Sequence, residues 1–359
     1  MYVVGGGVIG LACAWEIART GHEVVLVAPD AAPARDGASW VAAGMLAPVT
    51  EAQFGESALT ALLVEGAGHW PAFAAALEAA TGHGIGYDTT GTLTVGLDAS
   101  DRASLDDLLA YQHALGLPAH RRSARECRRL VPALSPAVRG GIEVPGDHQV
   151  DNRALLRALA AACRRAGVAF VEGRVAALEA GPVLVLADGR RLGPGPVVLA
   201  AGTGTPAIDG LAAAGLPPIR PVKGHILRLG SPGAVPRLTR TVRGLVHGRS
   251  VYLVPRRDGS VVVGATVEER GADAAVRAGA VHELLCDARA IVPALDELEL
   301  LEAATGLRPA TPDNVPFIGP TGLDGVVAAV GHYRNGILLA PFTAAAVADL
   351  VGRRRAVPA

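Results

Sequence analysis

The chain has 359 residues, half of them hydrophobic, with 33 basic against 34 acidic residues and a formal net charge of −1. That length and apolar content support two domains or one elaborate one. The charge balance leaves no basic stripe for nucleic acid and no acidic block typical of disorder, and no uncharged apolar run reaches the ~18 residues of a membrane-spanning helix.

Residues 1–4 read as a short strand near the terminus, with a native start expected slightly upstream. Residues 8–20 read as a helix with Leu11, Trp15 and Ala18 on one face. Gly21 and His22 turn the chain, and 23–28 read as a second strand. Gly5, Gly7 and Gly10 stand in G-x-G-x-x-G spacing between the first strand and the helix. In that context the glycines allow a tight turn, close backbone approach to a pyrophosphate and close helix–strand packing. The helix N-terminus offers free N–H groups to the phosphates. The start has no basic segment ahead of its apolar residues, so no secretory signal is expected.

Residues 151–166 have helical periodicity, with Leu155, Leu156, Leu159 and Cys163 on one side, Asp151 as N-cap and Gly167 as stop. Residues 168–171 read as a strand. Residues 183–192 alternate around Asp188 and Gly189 and read as a hairpin. "GPVVLAAGTGT", residues 195–205, is a buried strand running into a glycine turn at Ala201 and Gly202. It either lines a dinucleotide site or is a core strand with a turn. From 211 to 267 the runs "GHILRL", "SVYLVPR" and "SVVVGAT" give an antiparallel signature inside an α/β chain. The expected fold class is therefore α/β, with a Rossmann-like domain interleaved with an antiparallel-sheet domain. Residues 1–82, 150–210 and 304–359 are assigned to the first, and 83–149 and 211–303 to the second. The longest apolar stretch, 335–348, is short and carries Pro341. Cys13, Cys127, Cys163 and Cys286 show no C-x-x-C spacing, which fits free thiols in a reducing cytoplasm and gives no metal site.

Three further stretches complete a pattern: "ASWVAAGMLAP" at 38–48, "TGLRPATPDNVPFIGP" at 305–320 and "GHYRNGILLAP" at 331–341. With the glycine motif, and in this order, they resemble the FAD-dependent amine oxidases of the D-amino-acid oxidase superfamily, in particular the glycine oxidases of thiamine biosynthesis. The resemblance spans nearly the whole chain and implies FAD as cofactor. Gly5, Gly7, Val8, Ile9 and Gly10 would hold the pyrophosphate. Ser39, Ala42, Ala43, Gly44, Met45 and Leu46 would run under the flavin, Val175 would meet the adenine end, and Ala201 and Gly202 would line the site. Asn335, Gly336, Ile337 and Leu338 would face the flavin pyrimidine ring with a helix N-terminus. The related sarcosine oxidases attach flavin through a cysteine where this chain has Gly306, so the FAD is expected to be non-covalent. Family members end the second strand with an acid for the ribose. Here Ala28 stands there, and either Asp30 substitutes or main chain and water take over.

The same resemblance implies a small amino-acid substrate and O₂. Arg308 and Arg334 sit at carboxylate-binding positions, where an arginine fork gives parallel charge-assisted hydrogen bonds, and both also border the cofactor. Tyr252 matches a tyrosine that adds a third contact. Met45, Val267 and His332 would complete the pocket, His332 and Tyr333 serving packing or positioning rather than proton transfer. Val267 aligns with a methionine of a glycine-specific relative, and its smaller side chain predicts room for N-substituted glycines, an N-alkyl or N-carboxymethyl amine being turned over more efficiently than free glycine. The implied reaction is hydride transfer from Cα to flavin, giving glyoxylate, ammonia or an amine, and hydrogen peroxide. Rivals are a flavin dehydrogenase with another acceptor, an oxidase of another small D-amino acid, and a nucleotide-binding protein without turnover. Lys223, the single lysine, is either a compact ammonium for oxygen activation or a strand-end lysine. No nucleic acid partner or membrane insertion is expected, and a homo-oligomer is left open.

Overall fold

A computed structural model describes residues 1–30, 35, 37–230 and 238–355, the last three by backbone alone. The parts of the expected domain segments at 31–34, 36, 231–237 and 356–359 lie outside the described residues. The glycine-rich start forms a strand at Tyr2–Val4, a helix at Val8–Arg19 and a strand at Val25–Ala28. Gly5 has φ 121°, and a Cβ there would lie 2.3 Å from the Ala200 carbonyl oxygen. A Cβ on Gly10 would lie 1.9 Å from the Gly5 carbonyl oxygen. A side chain at either position would force the helix away from the sheet.

These strands sit in a six-stranded sheet, ordered Phe317–Pro320, Val326–Val330, Val197–Leu199, Tyr2–Val4, Val25–Ala28 and Ala169–Glu172. All neighbours run parallel except the edge strand Phe317–Pro320. Alternate residues enter different cores. Val3, Leu26, Val198 and Val327 pack under the helices Val8–Arg19, Asn152–Arg165 and Gly336–Arg355. Val4, Val27, Val197, Leu199 and Val326 pack against Leu178, Leu184 and Leu186 of a three-stranded sheet on the other face. Burial on both faces explains the near-continuous apolar runs of these strands. The expected N-cap is in place: Asp151 accepts from the backbone N–H groups of Arg153 and Ala154, worth about 1 kcal/mol.

The second sheet has eight strands, ordered Glu299–Ala310, Arg220–Gly230, Val261–Gly264, Arg249–Pro255, Thr241–Val246, Thr92–Gly96, Gly140–Val144 and His120–Ser123. Its neighbours are antiparallel except Thr241–Val246 with Thr92–Gly96. The mixed α/β class expected from the sequence is the observed one. Strand Glu299–Ala310 crosses the expected boundary at 304 without a break and pairs along its length with Arg220–Gly230. Residues 304–310 therefore belong to the eight-stranded sheet. None of the helices among the described residues is long and apolar enough to cross a membrane.

Candidate active site

A cavity of about 640 Å³ lies where the C-terminal ends of the parallel strands meet the larger sheet. Gly5, Gly7, Val8 and Ile9 line it. Gly7 caps its helix without a side-chain acceptor, so the first-turn N–H groups open to the cavity, apart from Val8 N–H, which donates to Ser39 Oγ at 3.2 Å. Ser39, Ala42, Ala43, Gly44 and Met45 form the next stretch of wall. Gly44 has φ 77°, and a Cβ there would meet the Val150 carbonyl oxygen at 2.0 Å. Buried Asn152 donates to the carbonyls of Ser39 and Trp40, both at 2.8 Å, and Arg256 donates to that of Ala43 at 2.6 Å. These bonds hold the stretch from behind. Val175, Ala201 and Gly202 line one end. Asn335, Gly336, Ile337 and Leu338 bring the N-terminus of helix Gly336–Arg355 to the cavity. Two helix N-termini and a wall of small residues form a donor set that fits a flavin dinucleotide: one terminus suits the pyrophosphate, the other the electron-rich edge of a flavin ring. None of the four cysteines is among the lining residues.

At the other end stand Tyr252, Arg308, Arg334 and Glu51. A Cβ on Gly224 would come within 2.2 Å of Arg308 Nη2, and one on Gly264 within 2.5 Å of the Tyr252 hydroxyl. Both glycines thus make room for these side chains. Arg308 Nη1 donates to the carbonyls of Lys223 (3.3 Å) and Thr266 (3.2 Å). Among the described residues it has no carboxylate partner, and burial weakens its hold on the proton. Arg334 does have one. Its Nε lies 3.1 Å from Glu51 Oε2, and this pairing raises the Arg334 pKa. Arg243 Nη1 donates to Glu51 Oε1 at 2.5 Å. Burial alone would raise the Glu51 carboxyl, but Arg334 and Arg243 outweigh it and bring it to about 2. Burial raises the Tyr252 hydroxyl, which therefore stays a donor.

Several expected residues lie elsewhere. Gly10 faces the Gly5 carbonyl, within the helix–strand contact. Leu46 follows Met45 on a short strand, so it turns the other way and is buried in the core while Met45 lines the cavity. Asp30 is exposed on a bend beyond its strand and outside the lining, whereas Pro29 is within it. Val267 is 55% exposed and also outside the lining. The preceding Thr266 takes the inward place, its hydroxyl accepting from the His225 N–H at 3.0 Å. Lys223 is fully buried, with Nζ donating to Asp273 Oδ2 (3.1 Å) and the Ala275 carbonyl (2.5 Å). It is a strut inside a strand, away from the cavity lining. His332 lines the cavity, but burial lowers its pKa to about 3 and Nε2 pairs with Thr343 Oγ1 at 3.0 Å. That neutral, tied ring suits positioning. Glu51 went unanticipated, although it is the one charge between Ala38 and Gly55. No group of His, Cys, Asp or Glu among the described residues is arranged to hold a metal.

The fold and this cavity define a flavin-dependent oxidoreductase, and the chain belongs to the family described as FAD dependent oxidoreductase, which matches residues 2–350. It is 33% identical over 363 residues to the glycine oxidase of Geobacillus kaustophilus, covering 98% of this chain and 92% of that protein. It is 35% identical over 368 residues to the bifunctional protein ThiO/ThiG of Nostoc sp., covering 99% of this chain but 53% of that protein. The chain thus spans about half the length of the bifunctional relative. The crystal structure of the Geobacillus glycine oxidase superposes with a TM-score of 0.88 at 31% identity, covering 98% of this chain and 94% of that one. Iminodiacetate oxidase from Chelativorans sp. BNC1 superposes with a TM-score of 0.85 at 27% identity, covering 100% and 96%.

Proposed function

We propose that the protein is an FAD-dependent oxidase that cleaves the C–N bond of glycine or an N-substituted glycine, releasing glyoxylate, ammonia or an amine, and hydrogen peroxide. The observation that carries this reading is Arg308, a half-buried guanidinium in the cavity wall with no carboxylate partner among the described residues. A cation held this way needs an anionic ligand. Its Nε–Nη2 edge has the geometry for a bidentate carboxylate, and the buried Tyr252 hydroxyl adds a donor. Relatives named glycine oxidase and a structural neighbour named iminodiacetate oxidase support the substrate class.

Bound FAD would supply a two-electron acceptor for the hydrogen on Cα and a centre that O₂ can reoxidise. The residues of this chain orient and tune. Arg308 and Tyr252 fix the carboxylate end and so direct Cα. The positive charge of Arg308, which has no carboxylate partner among the described residues, disfavours an ammonium beside it and so helps the substrate nitrogen to be neutral. No side chain is required as a base, in keeping with the pairing of Glu51 by two arginines.

The test is a peroxide-coupled screen of glycine, N-alkylglycines and D-amino acids, with glyoxylate measured in parallel. Peroxide and glyoxylate in equal amounts from glycine or an N-alkylglycine are expected. Turnover with an artificial acceptor but not with O₂ would replace the oxidase reading with a dehydrogenase.

A further inference from the structure

Glu51 has no part in orienting a single carboxylate, yet it lines the cavity with its side chain only 9% exposed. It ends a chain of buried polar groups. Asp147 accepts from the backbone N–H groups of Val49 and Thr50, both at 2.9 Å, and from Thr50 Oγ1 at 2.5 Å. Arg243 Nη1 spans Thr50 Oγ1 (3.3 Å) and Glu51 Oε1 (2.5 Å). Arg334 Nε and Nη2 then close on Glu51 at 3.1 and 3.3 Å. Of the three guanidiniums at this end of the cavity and in the wall behind it, Arg243 and Arg334 share Glu51. The charge without a carboxylate partner among the described residues is that of Arg308. A substrate with a neutral amine and one carboxylate cancels that charge. A second carboxylate would approach Arg334 and meet Glu51 already there.

We infer that Glu51 is a specificity-determining residue: it occupies the Arg334 guanidinium and restricts the site to amines carrying a single carboxylate, N-substituents being uncharged. This rests on the oxidase reading above and narrows it. The pair is preorganised, since Glu51 is anchored from two sides and cannot leave without exposing Arg243 to an unpaired burial. A carboxylate on the substrate nitrogen would thus meet like-charge repulsion at short range in a poorly solvated wall.

The experiment compares kcat/KM for glycine, sarcosine, N-ethylglycine and iminodiacetate, using the FAD-loaded wild type, Glu51→Gln and Glu51→Asp. Wild type should favour sarcosine over iminodiacetate by on the order of 10-fold or more. Glu51→Gln keeps the shape and removes the charge, and should raise the iminodiacetate-to-sarcosine ratio by about 10-fold or more, mainly through a lower KM for iminodiacetate. Glu51→Asp keeps the charge and should hold the ratio near that of wild type. A general loss of structure would scale all substrates together and leave the ratio where it was. Equal efficiency of wild type on sarcosine and iminodiacetate overturns the inference, even if neither variant folds. So does an unmoved ratio in folded Glu51→Gln. No peroxide from any of these amines with FAD-loaded wild type removes the oxidase reading itself, and this one with it.

Discussion

Arg308→Lys isolates the fork from the charge. In the wild type, Nη1 is spent on the carbonyls of Lys223 and Thr266, and the Nε–Nη2 edge has no acceptor among the described residues. A lysine ammonium offers one contact to a substrate carboxylate in place of two, and the two carbonyls compete for its remaining protons. Losing one hydrogen bond to a charged group costs about 1.5–3 kcal/mol, and the tilt that follows moves Cα from its reacting position. Together these give a loss of about 3 kcal/mol in transition-state stabilisation, or roughly 10²-fold in kcat/KM. Arg308→Met should go further, because the substrate carboxylate is then buried unpaired at a cost of about 3–5 kcal/mol. The assay is peroxide-coupled kinetics at matched FAD content, read from the visible spectrum, with the affinity of a simple monocarboxylate followed by perturbation of the flavin bands. If Arg308→Lys stays within about threefold of wild type in kcat/KM with FAD bound, the guanidinium fork is not the anchor.

The purified protein should be yellow, and acid should release its FAD intact, since none of the cysteines lines the cavity; flavin retained on the denatured chain would contradict this. Val267→Met should leave relative kcat/KM along glycine, sarcosine and N-ethylglycine unchanged, because the exposed side chain does not reach the cavity; a shift toward glycine would restore it to the pocket. Gly44→Ala combines a strained backbone at φ 77° with a Cβ 2.0 Å from the Val150 carbonyl oxygen, and should lower stability by about 3 kcal/mol or more and reduce FAD occupancy, measured by Tm and by the flavin-to-protein absorbance ratio. Glu51 sits at about 2 against an ordinary 4.5. Its depressed value means the ionised form is favoured in the fold, so its stabilisation is complete above ~4.5 and declines as pH falls toward ~2. The Tm difference between wild type and Glu51→Gln should therefore shrink on going from about pH 6 to about pH 3, and a difference that stays constant would place the effect outside ionisation.

The cofactor-binding half was readable because its signals are local. Gly5, Gly7 and Gly10 lie within one turn, and the buried strands declare themselves by unbroken apolar runs. The opposite end of the cavity was readable only in part. Arg308 and Arg334 came from their motifs, but their different states could not, because these depend on groups far apart in sequence. Glu51 lies 192 residues from Arg243 and 283 from Arg334, and an isolated charge among uncharged neighbours does not name such distant partners. Val267 aligns with a pocket methionine of a relative, but alignment does not give the direction of a side chain in the loop after a strand. Thr266, beyond the end of strand Val261–Gly264, turns toward His225, and Val267 is left exposed. Lys223 looked unusual by composition, but its use depends on Asp273 and Ala275 of a distant segment.

Strand Glu299–Ala310 has a consequence for how this enzyme could diversify. Arg308 projects from it, the Pro309 carbonyl accepts from Tyr333 N–H at 2.7 Å, and Ala310 bridges to His332. Asn335 N–H then donates to the His332 carbonyl at 2.9 Å, and the last helix begins at the next residue, Gly336. Arg308, the carboxylate anchor of the proposed function, and the helix end that opens to the cavity are thus tied to neighbouring residues of one strand. That strand is a ruler: the span from Arg308 to the helix end is graduated in peptide units, which side-chain replacement does not stretch. Residues around the ruler can be exchanged to reshape the cavity while that span stays where it was set.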